Sequence, residues 1–199
     1  MTILSTNSGE VGRLVGRNFR TLGVGPSFTD IAARKGQLLG ITFGSLYRIN
    51  RSSGNATFVG NLGVGDMNGL TFGPKGKLYG TGGTGFYRIN IKTGRAKRVA
   101  SIPNFLSSGD ITYDSKNGRF LATSNSSFGS DRLLAITPKG RADIIGNIGF
   151  RDVFGLTFKG KRLLGYTARG QEIRINLKTG AGKARQQINL FGNEIWGAT

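Results

Sequence analysis

The sequence predicts an all-β fold, a single five-bladed β-propeller, and three observations carry that reading. A strand-turn-strand unit recurs at a fixed phase, a second hairpin precedes each recurrence, and the two ends of the chain complement one another as parts of one further unit.

The recurring unit is LYRINRSSGNATFVG (46–60), FYRINIKTGRAKRVA (86–100), LLAITPKGRADIIG (133–146) and EIRINLKTGAGKARQQ (172–187). Each segment is rich in apolar and β-branched residues on both sides of a polar, glycine-containing stretch, which is the pattern of two strands joined by a tight turn. The turn glycines Gly54, Gly94, Gly140 and Gly180 lie 40, 46 and 40 residues apart, and Gly9 lies 45 before the first. Five turns at one phase predict five units.

Upstream hairpins follow the same spacing: DIAARKGQLLGIT (30–42), GLTFGPKGKLYGT (69–81), DITYDSKNGRFLAT (110–123) and GLTFKGKRLLGYT (155–167). Each unit therefore holds four short strands, A innermost to D outermost, in about 40 to 46 residues, the size of a propeller blade. The terminal EIWGAT (194–199) reads as a strand A, and ILSTNSGEVGRLVG (3–16) reads as strands C and D. Closing the ring with both ends would remove the open edges of the first and last blades. The expected blades are about 28–63, 66–102, 107–149, 152–188 and a composite of 189–199 with 1–25, all within one domain, 1–199. Strand B of the composite is missing from this reading, so that blade has three strands unless residues 19–22 pair unusually.

The unit resembles the propeller repeats of bacterial proteins with LY-x-I-[DN]-x-x-TG-x-A-x-x-VG blades, a family of largely unassigned function. Leu46, Tyr47, Ile49, Asn50, Gly54, Ala56, Val59 and Gly60 carry the match in the first unit. The resemblance implies the fold and supplies no catalytic residues. The third unit departs from it at Ile136-Thr137-Pro138, with a shorter turn.

Composition narrows the chemistry. Twenty-eight Lys and Arg against ten Asp and Glu give a formal net charge of +18, which favours a polyanionic partner. Histidine and cysteine are absent, which removes the usual general base, the thiolate nucleophile, His/Cys zinc sites and disulfides. The opening residues lack a secretion-signal pattern and no stretch is apolar enough to span a membrane, so the expected location is the cytoplasm or a particle assembled there, without membrane insertion. Gly80-Thr81-Gly82-Gly83-Thr84-Gly85 fits G-x-G-x-x-G but leads into a strand, so it has no helix N-terminus to hold phosphate. No cofactor is expected.

In a four-stranded blade the A–B and C–D turns leave on one side, and the B–C and D–A connections on the other. The A–B turns carry Arg34, Lys35, Lys75, Lys77, Lys116, Arg119, Lys159, Lys161 and Arg162. The C–D turns carry Arg51, Lys92, Arg95, Lys139, Arg141 and Lys178, with Asp114 and Glu10 as the nearby acids. The opposite connections carry Asp30, Asp66, Asp110, Asp131, Asp152 and Glu194, together with Phe28, Phe105, Leu106, Phe128, Phe150, Phe154 and Phe191. Asp66, Asp152, Glu194, Phe105 and Phe154 form a candidate ligand site there, with Asp30 and Asp110 three residues later in phase; acids heading repeated strands are all expected to accept backbone hydrogen bonds from neighbouring turns, with a cation or a sugar held by the ring as the alternative. Trp196 is expected to lock the closure.

This layout predicts a non-enzymatic binding or structural protein whose basic face docks onto an acidic protein lattice, as a subunit of a virion or another large assembly. A glycan-binding propeller is the alternative. Non-specific nucleic-acid binding is a further one, disfavoured because stacking aromatics and basic residues are expected on opposite faces.

Overall fold

The structure, a computed structural model, describes residues 1–126 and 129–199. Its strands are short and antiparallel: β1 (Ile3–Thr6), β2 (Glu10–Val15), β3 (Asn18–Val24), β4 (Asp30–Arg34), β5 (Gln37–Ile41), β6 (Ser45–Ile49) and β7 (Ala56–Asn61). They continue as β8 (Met67–Phe72), β9 (Leu78–Gly82), β10 (Gly85–Ile89), β11 (Ala96–Ser101), β12 (Ser107–Asp114) and β13 (Arg119–Ser124). The remainder are β14 (Arg132–Ile136), β15 (Ala142–Asn147), β16 (Val153–Lys159), β17 (Arg162–Thr167), β18 (Gln171–Ile175), β19 (Gly182–Gln187) and β20 (Ile195–Ala198).

They form five four-stranded sheets: β4–β7, β8–β11, β12–β15, β16–β19 and a composite ordered β20-β1-β2-β3. We number the blades 1 to 5 in that order. The innermost strands β4, β8, β12, β16 and β20 pack in a ring about the axis. Five apolar clusters fill the gaps between blades, one per interface, as where Ile41 and Leu46 of blade 1 meet Met67 and Leu70 of blade 2. The result is a five-bladed β-propeller closed by strands from both ends of the chain.

The phase of the N-terminal segment differs from the sequence reading. Residues 3–6 are strand B, residues 10–15 are strand C, and strand D is Asn18–Val24, so the composite blade has four strands. Val15 pairs with Asn18, leaving Gly16-Arg17 as a two-residue hairpin turn with Gly16 at φ +62°. This turn is shorter than its counterparts, which hides it from the repeat. Gly9 lies in the B–C turn and is not a counterpart of Gly54.

The repeat's IN-x-x-[ST]-G stretch is explained by its turn. Asn50 Oδ1 accepts the N–H groups of Ser52 (2.8 Å) and Ser53 (3.1 Å), and Asn90 and Asn176 do the same in their blades. In blade 3 the shorter turn is held by Thr137 Oγ1, which accepts from Arg141 N at 3.1 Å, and the outer hairpin forms.

Glycine in strand D also has a physical cause. The C–D turn of each blade abuts strand D of the preceding one, so a Cβ at Gly60 would lie 2.1 Å from Thr93 O, and one at Gly146 2.1 Å from Thr179 O. These backbone contacts run around the rim and latch each blade to the next.

Candidate functional site

At the axis, antiparallel pairing leaves the inner edge of each strand A without a partner strand, and its N–H groups need acceptors. Equivalent residues Ile31, Leu70, Ile111, Leu156 and Ala198 present those groups, one per blade. Two carboxyls accept all five. Asp30 accepts from Ile31 N (2.7 Å) and Leu70 N (2.5 Å), whereas Asp110 accepts from Ile111 N (2.5 Å), Leu156 N and Ala198 N.

The two carboxyls are fully buried and hydrogen-bonded to each other, which requires a proton between them. Burial pushes both well above the usual carboxylate range, and the neighbouring Asp110 charge raises Asp30 further. Asp110 has the larger set of N–H donors, three against two for Asp30. The remaining blades place Gly69, Gly155 and Gly197 at the same position, where added side chains would collide: a Cβ at Gly197 would lie 2.6 Å from Asp30 Oδ1. The pair ties together all five blades and exposes no carboxylate to solvent.

One residue earlier in each strand A stand Thr29, Asn68, Gly109, Phe154 and Trp196, which line a pocket of about 280 Å³ on the axis. Phe43, Ser108 and Glu194 complete its wall. The pocket opens on the side of the B–C and D–A connections, above the Asp30–Asp110 pair. Of the expected loop-face site, Glu194 and Phe154 belong to it. Asp66 and Asp152 do not line it: they occupy left-handed turn positions (φ +62° and +53°) just before β8 and β16.

Phe105 is corrected from ligand contact to core. It is 1% exposed and packs in the apolar cluster with Phe86 and Phe120, and Phe28 is likewise fully buried. Phe191 is 78% exposed, and Phe128 lies outside the described residues. Sequence reasoning missed Phe43, Asn68 and Ser108; Asn68 and Trp196 share the phase of Phe154, which is the signal that links them.

The opposite end is basic. Lys35 and Lys75 take left-handed φ at the tips of their A–B turns, Arg34 points over Gly76 of the next blade, and Lys116, Lys159 and Lys161 occupy or flank the equivalent turns. Lys92 and Arg95, Lys139 and Arg141, and Lys178 lie in the C–D turns of blades 2, 3 and 4.

The two sets of turns meet. Arg119 of blade 3 donates to Leu177 O of blade 4 (3.5 Å), and Lys161 and Arg162 share a groove of about 540 Å³ with Arg174, Lys178 and Lys183. An equivalent groove of about 540 Å³ in blade 2 is lined by Lys77, Arg88, Arg95 and Lys97. Neither contains a carboxylate. Asp114 is buried and ion-paired with Arg119 at 3.3 Å. Glu10 is corrected to the other end, where it accepts from Asn193 Nδ2 at 2.6 Å, because it follows the B–C turn. Among the described residues just one further ion pair forms, Arg185 with Glu172 at 2.7 Å. Most of the cationic charge is thus uncompensated by contact.

No protein-family model and no curated protein matches the chain. Among solved structures it is similar to a chain of the nidogen/laminin complex, with a TM-score of 0.67 at 12% identity over 100% of this chain and 98% of that one. It is also similar to a Bacteroides thetaiotaomicron protein of unknown function (TM-score 0.64, 17% identity, 86% of this chain and 51% of that one). A third is the PQQ-bound aldose sugar dehydrogenase of Streptomyces coelicolor (TM-score 0.58, 20% identity, 81% of this chain and 63% of that one). One comes from a protein complex and another is an enzyme, so at these identities the likeness carries architecture and not activity. What the chain shares with them is the β-propeller fold, realised here in five blades.

Proposed function

We propose that the chain is a binding module that docks through its basic end onto an acidic protein surface, as a subunit of a larger assembly. The observation that carries this reading is the pair of equivalent grooves in blades 2 and 4, lined by Lys77, Arg88, Arg95 and Lys97 and by Lys161, Arg162, Arg174, Lys178 and Lys183, with no carboxylate in either. Grooves repeated around an axis suit a partner that repeats its own acidic sites, because several weak contacts then act together. Cationic side chains on rigid hairpins give attraction that steers association without reading a sequence. Neither groove is lined by an aromatic side chain, the stacking surface that single-stranded nucleic acid uses.

The test measures binding of poly-L-glutamate and of a random-sequence single-stranded DNA by anisotropy at about 25 and about 300 mM salt, which spans strong and weak screening. Docking on acidic protein predicts binding of polyglutamate at low salt, its weakening in a Lys161→Glu/Lys178→Glu/Lys183→Glu variant that keeps the blade 2 groove, and an unchanged melting temperature. Equal binding by that variant rejects the reading. Tighter binding of DNA than of polyglutamate at matched salt assigns the grooves to nucleic acid instead.

A further inference from the structure

The axial pocket at the other end has a chemistry that docking does not use. Most side-chain donors in its wall are already engaged: Thr29 Oγ1 donates to Met67 O (2.8 Å), Ser108 Oγ to Asp131 Oδ2 (2.8 Å), and one N–H of Asn68 Nδ2 to Ser107 O (3.1 Å). Trp196 Nε1 donates to Glu194 Oε2 at 3.4 Å. What remains is mainly acceptor: the exposed Glu194 carboxylate and Asn68 Oδ1, a buried oxygen without a hydrogen-bond partner among the described residues. Three aromatic side chains, Phe43, Phe154 and Trp196, supply the apolar wall. Beneath the floor, one residue further along the strands, lies the buried Asp30–Asp110 pair.

We propose that this pocket binds a small organic ammonium ion bearing methyl groups, a quaternary or fully methylated amine. Ring faces attract a cation through their quadrupole, and its methyl groups fill apolar space that a hydrated metal ion would not. Glu194 and the Asn68 carbonyl both place negative potential where the charge would sit. A sugar fits less well, since its several hydroxyls need donors as well as acceptors and the wall has at most the second N–H of Asn68 to offer. The volume of about 280 Å³ admits one such headgroup.

Trp196 is the chain's single tryptophan and sits in the wall, so its emission reports occupancy directly. The probes are choline and its neutral carbon isostere 3,3-dimethyl-1-butanol, titrated into the full chain, with choline repeated on Glu194→Gln and Phe43→Ala. Both substituted side chains are exposed, so these variants are expected to fold. The expected result is saturable binding of choline in the millimolar range, about tenfold weaker binding of the isostere, and weakening of about fivefold in each variant. Co-sedimentation with phosphatidylcholine vesicles, competed by choline, would make the source a lipid headgroup; saturation by choline with no co-sedimentation would make it a soluble amine. Equal affinity for the isostere, or no saturable change up to about 50 mM choline, overturns the proposal.

Discussion

Asp110→Asn is expected to be among the most damaging single-atom-scale changes in this chain, with a cost that follows from its hydrogen bonds. Asp110 accepts N–H groups from blades 3, 4 and 5 and shares a hydrogen bond with Asp30. An asparagine offers one carbonyl oxygen and turns an NH₂ toward donors, which leaves at least one buried N–H unsatisfied, at about 1–3 kcal/mol. Its NH₂ also faces the N–H groups that the lost oxygen served, so a second donor goes without an acceptor at a similar cost. A total of about 3–5 kcal/mol is expected, against a stability of about 5–15 kcal/mol for an ordinary domain. Asp30→Asn keeps a donor toward Asp110 and frustrates just one of two N–H bonds, so about 1–2 kcal/mol is expected. Urea unfolding followed by Trp196 emission, at pH 7 and with matched m-values, gives both numbers. If Asp30→Asn costs as much as Asp110→Asn, the larger set of N–H donors at Asp110 does not set the cost, and if both cost under about 0.5 kcal/mol the pair does not hold the axis together.

Because burial raises the pair's affinity for its proton above that of an ordinary carboxyl (3.8), the folded chain binds that proton more tightly than the unfolded one. Its stabilising contribution is therefore complete below about pH 3.8 and is lost as pH rises through the folded value; urea midpoints compared between the wild type and Asp30→Asn should show that component vanish in the variant. Gly60→Ala places a Cβ 2.1 Å from Thr93 O and should destabilise by about 2–3 kcal/mol, while Gly16→Ala, with open space but φ +62°, should cost about 1 kcal/mol, both read as shifts in urea midpoint. Arg185→Ala strips Glu172, itself 4% exposed, of its cation and should cost about 1–3 kcal/mol, whereas Glu172→Gln/Arg185→Ala together should recover part of that loss.

The five-blade architecture was legible because its turns have strict chemistry: Asn50, Asn90 and Asn176 cap the same turn, and Gly54, Gly94, Gly140 and Gly180 all take positive φ in it. Where the turn was built differently, the reading slipped. Gly16-Arg17 closes a two-residue hairpin without that asparagine, so residues 3–15 were assigned one strand too far outward and Glu10 was put at the wrong end. Burial was the second weak point. Phe105 and Phe154 both lie near the start of a strand A, and nothing local distinguishes the one that turns into the interface between blades 2 and 3 from the one that faces the axis. The axial level itself was written in the sequence as Asp30, Gly69, Asp110, Gly155 and Gly197, an alternation of one acid type with no side chain at all. Its meaning depends on five strands converging, which is a property of the closed ring and of no single repeat.

That alternation limits how far the blades could ever resemble one another. Five identical units would set either five aspartates in a space that holds two, with their charges opposed, or five glycines around five inward-pointing amides with nothing to receive them. An odd number of blades sharing a two-residue plug has no symmetric solution. Divergence at this position is how this chain meets that constraint, and a version rebuilt from perfect copies of any one blade would have to satisfy its five axial amides in another way.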